Sequence, residues 1–183
     1  MIEYNVEIEG TTSLLFNRFV DASIDSEVKK RAGSAKKHDP EEKLYKLENG
    51  KIYTPSTHIM GMLVNAGKNF KIQGKQKSTY SKLIGSAVEV NPDVIEHKIQ
   101  KWIPFSISAV NPMTRGRMMV VRPMMEKWRL GFTIKFNDND IPIDVMKNIL
   151  DFGGQYVGIG DWRPEKKGKY GKFIVTKFME IAP

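Results

Sequence analysis

From Trp128 to Phe136 every second residue is large and apolar: Trp128, Leu130, Phe132, Ile134 and Phe136. Side chains of a strand point alternately to its two faces, so this run has one face to cover and one that meets water. Near the N-terminus Tyr4, Val6 and Ile8 alternate in the same way with Glu3, Asn5, Glu7 and Glu9. Strands of this kind build an antiparallel sheet that needs a second layer over its apolar face. Disulfides cannot replace that layer, because the 183 residues include no cysteine. The same absence excludes a thiolate metal site, an iron–sulfur cluster and a cysteine nucleophile.

Two helical stripes can supply the cover. Pro55-Ser56-Thr57 opens a helix that Ser or Thr can cap, and Ile59, Met62, Leu63, Ala66 and Phe70 follow at helical spacing. A second helix after Asn137-Asp138-Asn139-Asp140 carries Val145, Ile149, Phe152 and Tyr156 on one face and weakens at Gly153-Gly154. Gly50 to Tyr53 turns into a short strand, and 71–82 reads as a loop. Strands are expected at 87–90 and 95–103 around Asn91-Pro92. Residues 117–121 and 128–136 read as a hairpin bounded by Arg122-Pro123, and Phe173, Val175, Met179 and Ile181 mark a last strand. Residues 21–50 carry seven acids and seven bases and read as an inserted charged arm or loop with a short helix near 40–47. Without insertions the order is β-α-β-β-α-β. That order predicts an α+β, ferredoxin-like (RRM-like) antiparallel sheet with two helices, as a single domain over 1–183.

The composition is that of a folded chain, 40% hydrophobic and 27% charged. No apolar run reaches the roughly 18–20 residues of a membrane span. The start, MIEYNVEIEG, reads as a strand and not as a signal peptide, so a cytoplasmic location without a membrane partner is expected.

The net charge of +8 is unevenly placed. Residues 66–82 carry +5 and include Lys68, Lys71, Lys75 and Lys77; residues 113–129 carry +4 and include Arg115 and Arg117. Residues 163–177 carry +5 through Arg163, Lys166, Lys167, Lys169, Lys172 and Lys177 against Glu165, leaving −6 for the rest of the chain. Segregation of this kind marks a polyanion-binding face, although three solvated lysine-rich loops would give the same count. Phe70, Tyr80, Trp128, Trp162 and Tyr170 lie in or beside these windows, a mixture suited to single-stranded nucleic acid. Trp128 heads the alternating strand and belongs to the core.

The segment GIGDWRPEKKGKYGKF, 158–173, holds Gly158, Gly160, Gly168 and Gly171 among Arg163 and four lysines, between a helix and the last strand. Mobile backbone and clustered cations suit phosphates. A dinucleotide-binding loop is excluded, since that motif follows a strand and opens a helix, and no Walker A spacing occurs. A plain flexible loop is the simpler reading. Helix, G-x-G-x-x-R, further glycines and a terminal strand resemble the glycine-rich loop of the RAMP superfamily, the RNA-binding proteins of CRISPR effector complexes. Pro55, Ser56, Thr57, Ile59, Gly61 and Leu63 resemble the first-helix start of the same superfamily, with Met60 and Val64 where basic residues are common and Lys68 one turn on.

The resemblance implies backbone-mediated binding of single-stranded RNA (or single-stranded DNA). It also implies stacking as a homo-oligomer or as a subunit of a larger ribonucleoprotein, with 21–50 or 103–127 reaching a neighbour. Ser56, Thr57, His58, Gly158, Gly160, Trp162 and Arg163 would then grip the strand, and Lys68, Lys71, Lys75, Lys77, Arg115, Arg117, Lys166, Lys167, Lys169 and Lys172 would extend the groove. Some relatives cleave RNA without metal through a histidine, and His58 is the residue here that could do so. A phage-type structural or assembly protein, with a similar G-x-G-x-W-R-P ending, is the third reading. No cofactor or metal is expected: His38, His58 and His97 lie far apart, and Asp138, Asp140 and Asp144 near a helix start favour its dipole. Met113, Met118, Met119, Met124 and Met125 read as core or strand filler, or as an adaptable contact surface.

Overall fold

The computed structural model describes residues 1–20, 39–75, 77–110 and 115–181. Strands β1 (Ile2–Gly10), β4 (Glu89–Asn91), β8 (Arg129–Phe136) and β9 (Phe173–Glu180) form a four-stranded sheet in the order β4-β8-β1-β9, antiparallel throughout. The register sets Tyr4 opposite Ile134, Val6 opposite Phe132 and Ile8 opposite Leu130, so both alternating runs turn their apolar sets to one side. Helices α1 (Ser56–Gly67), α2 (Tyr80–Ala87) and α3 (Ile143–Phe152) supply the cover. Ile59, Met62, Leu63 and Ala66 of α1, Tyr80 and Ile84 of α2, and Met146, Ile149 and Leu150 of α3 are buried in one continuous core. This is the expected ferredoxin-like α+β arrangement, with a third helix added. Among the described residues no helix is long and apolar enough to cross a membrane.

Several local expectations are corrected. The end of the expected 71–82 loop is helix instead: Tyr80 and Ile84 lie one turn apart and bury together, which makes α2. The buried face of α3 is Met146, Ile149 and Leu150, and Tyr156 lies beyond the helix and exposed. The 95–103 strand is two, β5 (Val94–Glu96), paired with β3 (Tyr53–Pro55), and β6 (Ile103–Val110). The hairpin is made by β6 and β7 (Arg117–Met125), while β8 joins the main sheet. Pro123 does not end β7: it sits opposite Pro104, its carbonyl accepts from the Phe16 amide at 3.0 Å, and a proline holds its predecessor extended. β7 is held at its base by β2 (Leu14–Leu15), which pairs with Met124 and Met125. Those two methionines are core, Met119 is exposed, and Met113 and the Met118 side chain lie outside what is described.

In β9 a register shift opposite Glu7 and Ile8 passes over Thr176. Phe178, not Met179, therefore faces inward, opposite Val6, with its ring stacked 4.4 Å from Tyr4. Of the charged 21–50 segment, 21–38, including His38, lies outside the described residues. From Asp39 the chain packs: a 3₁₀ turn at Pro40–Lys43 is followed by the buried Leu44.

Candidate nucleic-acid interface

Helix α1 begins at Ser56 because Pro55, held extended, cannot continue a helix backwards. No side chain caps it; the Ser56 amide donates to the Asp93 carbonyl at 2.8 Å and its hydroxyl to Asp93 Oδ1 at 3.3 Å. Ser56 is buried and committed to that contact, whereas Thr57 and His58 turn to a cleft. Along α1 the residues Thr57, Gly61 and Asn65 line one wall, and Lys68 continues the stripe, its Nζ donating to Asn65 Oδ1 at 2.7 Å. Gly61 is exposed, and an added Cβ there would meet nothing within 4 Å.

The second wall is the glycine loop. After α3 the chain makes a π turn, Gly153–Val157, and then enters Gly158 and Gly160 at φ +70° and +78°, a region that an L side chain occupies only with strain. Gly160 also lies against strand β2: a Cβ would come 2.6 Å from the Leu15 carbonyl oxygen. The Asp161 amide donates to that carbonyl at 2.9 Å, and the Gly171 amide donates to the Ser13 carbonyl at 2.8 Å. Arg163 closes the loop, with Nη1 donating to the Gly160 carbonyl at 3.1 Å and Nε to Glu165 Oε2 at 2.9 Å. Phe16 and Asn17 beyond β2, together with Tyr45, complete a cleft of about 280 Å³.

The two sequence motifs therefore meet. His58, Gly158, Gly160 and Arg163 line the same cleft. Burial first, and then the Arg163 guanidinium, hold the His58 pKa below its ordinary 6.5, so the ring is neutral near pH 7. The Tyr45 ring meets His58 edge-on at 5.3 Å. Nothing in the linear spacing pointed to Tyr45. Asn65 does carry a signal in the chain, following Thr57 and Gly61 at four-residue spacing as a stripe of small and polar residues along α1.

The remaining cations lie outside the cleft's lining, on three separate segments. Lys71, Lys75 and Lys77 are exposed on the 68–79 turn, which Lys71 and Thr79 close as a bridge. Lys166, Lys167 and Lys169 are exposed on the glycine loop; Lys172 is half-buried, its amide donating to Thr12 Oγ1 at 2.9 Å. Arg115 and Arg117 are exposed at the far end of the β6–β7 hairpin. That hairpin is tied to the loop at its base, where Arg122 Nε donates to Asp161 Oδ2 at 3.2 Å and Phe105 meets Tyr170 edge-on at 6.0 Å. Trp162 is half-buried at φ +50°, and its amide donates to Asp161 Oδ1. Trp128 is core, its Nε1 donating to the Thr12 carbonyl at 2.8 Å. His97 lies buried behind the cleft, its Nε2 2.9 Å from Thr54 Oγ1. Among the described residues no three His, Asp or Glu side chains gather as a metal site.

No protein-family model matches the chain, and no curated protein matches it in sequence. Among solved structures it is similar to a chain of the cryo-EM structure of the type III-B Cmr-beta complex bound to cognate target RNA, with a TM-score of 0.55 and 19% identity. The match covers 98% of this chain and 60% of that one, so the protein spans less than two thirds of its neighbour's length. At this identity the likeness is one of fold.

Proposed function

We propose that the chain is a RAMP-type subunit that holds the sugar–phosphate backbone of single-stranded RNA, or of single-stranded DNA, in the cleft between α1 and the glycine loop. It would do so in the cytoplasm beside further subunits, in a ribonucleoprotein of the CRISPR kind. The observation that carries this reading is the convergence of His58 and Gly61 with Gly158, Gly160 and Arg163 in one cleft. The fold neighbour's complex is bound to target RNA, which supports the same ligand class here. The chemistry is electrostatic and steric. Side-chain-free backbone at Gly61, Gly158 and Gly160 lets a strand approach closely, and the flanking lysines neutralise its phosphates without reading bases.

The test is fluorescence anisotropy of labelled single-stranded RNA, single-stranded DNA and duplex DNA across a salt series. Binding should fall steeply with salt, with a log–log slope of about −0.7 per phosphate neutralised. Gly61→Glu fills open space, so the fold should keep its melting temperature while the added carboxylate lowers affinity at least about tenfold. Flat titrations at low salt would overturn the proposal and favour a phage-type assembly surface that binds protein.

A second reading has one specific observation behind it. A neutral His58 with the Tyr45 hydroxyl-bearing ring against it is a pair suited to general acid–base chemistry on a 2′-hydroxyl and its phosphate. A metal-independent endoribonuclease of this kind would cleave RNA in the presence of EDTA and lose that cleavage, but not binding, in His58→Ala. Intact RNA after prolonged incubation removes it.

A further inference from the structure

Continuing α3 as a regular helix would place Tyr156 one turn beyond Phe152, on the same stripe. The π turn changes this. The Gly158 amide donates to the Gly153 carbonyl at 2.8 Å, a five-residue step that widens the turn and rotates Tyr156 off the buried stripe. Tyr156 is 56% exposed. Its ring leans on Phe152 at 4.8 Å and 40°, and Phe152 meets Phe70 edge-on at 5.6 Å. A ring that leans on a second, itself braced by a third, has less side-chain freedom left for a ligand to restrict.

The trio adjoins the cleft through the π turn. Tyr156 is two residues from Gly158, and the π turn packs through Gly153 against Met62, both Gly158 and Met62 being cleft residues. Phe70 stands between Lys68, which bonds the cleft residue Asn65, and the exposed Lys71. A polyanion leaving the cleft along α1 towards the lysines of 68–77 thus passes an exposed, supported ring.

We propose that Tyr156 is a base-stacking platform, taking the face of one unpaired nucleobase of a strand whose phosphates lie in the cleft. This rests on the nucleic-acid reading above and adds to it a contact that no phosphate makes. The lysines flanking the patch favour a polyanion over an apolar peptide as its occupant.

The experiment compares a labelled oligouridylate with an abasic oligomer of the same length and phosphate count, titrated with wild type, Tyr156→Ala, Tyr156→Phe and Tyr156→Trp. Tyr156→Ala should weaken the base-bearing oligomer about tenfold and leave the abasic one unchanged, with Phe and Trp restoring affinity. Tyr156→Trp should add a fluorescence that the oligouridylate quenches and the abasic oligomer does not. Equal loss on both oligomers, or no loss on either, overturns the stacking role while leaving cleft binding intact. Failure of wild type to bind either oligomer overturns both proposals.

Discussion

The sheet's outer face and the α1–glycine-loop cleft are both solvent-facing, and they are built on opposite rules. On the outer face Glu3 lies opposite Lys135, Glu7 opposite Gly131 and Glu9 opposite Arg129, with Asn5, Thr133 and Lys177 between them. Lys98 reaches Glu7 at 2.8 Å and Arg129 reaches Glu9 at 2.7 Å. Two of its acids are thus paired and it carries no aromatic residue, so it lacks the stacking rings with which RRM sheets take bases. The cleft side has three glycines where side chains would stand and a neutral histidine, with exposed lysines on the glycine loop and on the turn that follows α1. One architecture can thus carry two unlike solvent-facing surfaces, because the sheet's outer face serves no packing purpose and is free to take any polar set.

Acid separates the two faces most strongly. His97 sits behind the cleft with only Thr54 as a polar partner, and burial lowers its pKa to about 4 from 6.5. A histidine held neutral in the fold gains a proton first in the unfolded chain, so stability falls as pH drops from 6.5 towards 4 and then levels. The loss should be about 3 kcal/mol across that window, read as the urea midpoint at successive pH values. On the outer face the hydrogen bond from Lys98 lowers the Glu7 pKa below 4.5, so whatever that group contributes is lost only at more acid pH. A stability profile flat between pH 6.5 and 4.5 would break this assignment.

Next in size is the glycine loop. Gly160→Ala adds a Cβ at φ +78° and against the Leu15 carbonyl, and should cost about 2 kcal/mol or more by chemical denaturation. Its counterpart on the other wall should move the opposite way, since Gly61→Ala replaces an exposed helical glycine and should add about 0.5–1 kcal/mol. Equal effects at the two glycines would show the walls to be less different than their geometry implies. The smallest effect belongs to the outer face. Removing the exposed Arg129–Glu9 pair with Arg129→Ala should cost under about 1 kcal/mol and leave oligonucleotide affinity within about twofold. A larger loss of affinity there would mean that the sheet, not the cleft, carries the strand.

Much of this was legible in the chain, and for local reasons. The alternation of β1 and β8 gave both strands and their common apolar face, and the stripe of α1 gave the helix over them. What was missed involved partners distant in sequence. Residues 117–121 read as a partner of β8, yet both edges of β8 are taken, by β1 and by β4, and β7 pairs instead with β6. Helix α2 was missed, its first residues read into the 71–82 loop, because a helix of eight residues shows barely two turns of pattern among lysines. Tyr156 kept its helical place in the sequence pattern and lost it to a π turn, which leaves no mark on the spacing of apolar residues.

The sequence by itself determined the order β-α-β-β-α-β, the apolar layers and the two motifs, because strand and helix periods are properties of neighbouring residues. Tertiary structure alone decided that His58 and Arg163 share a cleft, that Tyr45 joins them, that Arg122 is spent on Asp161, and that His97 is buried with one polar partner. Those facts depend on where segments dozens of residues apart are laid against one another by the sheet, and no local period records it.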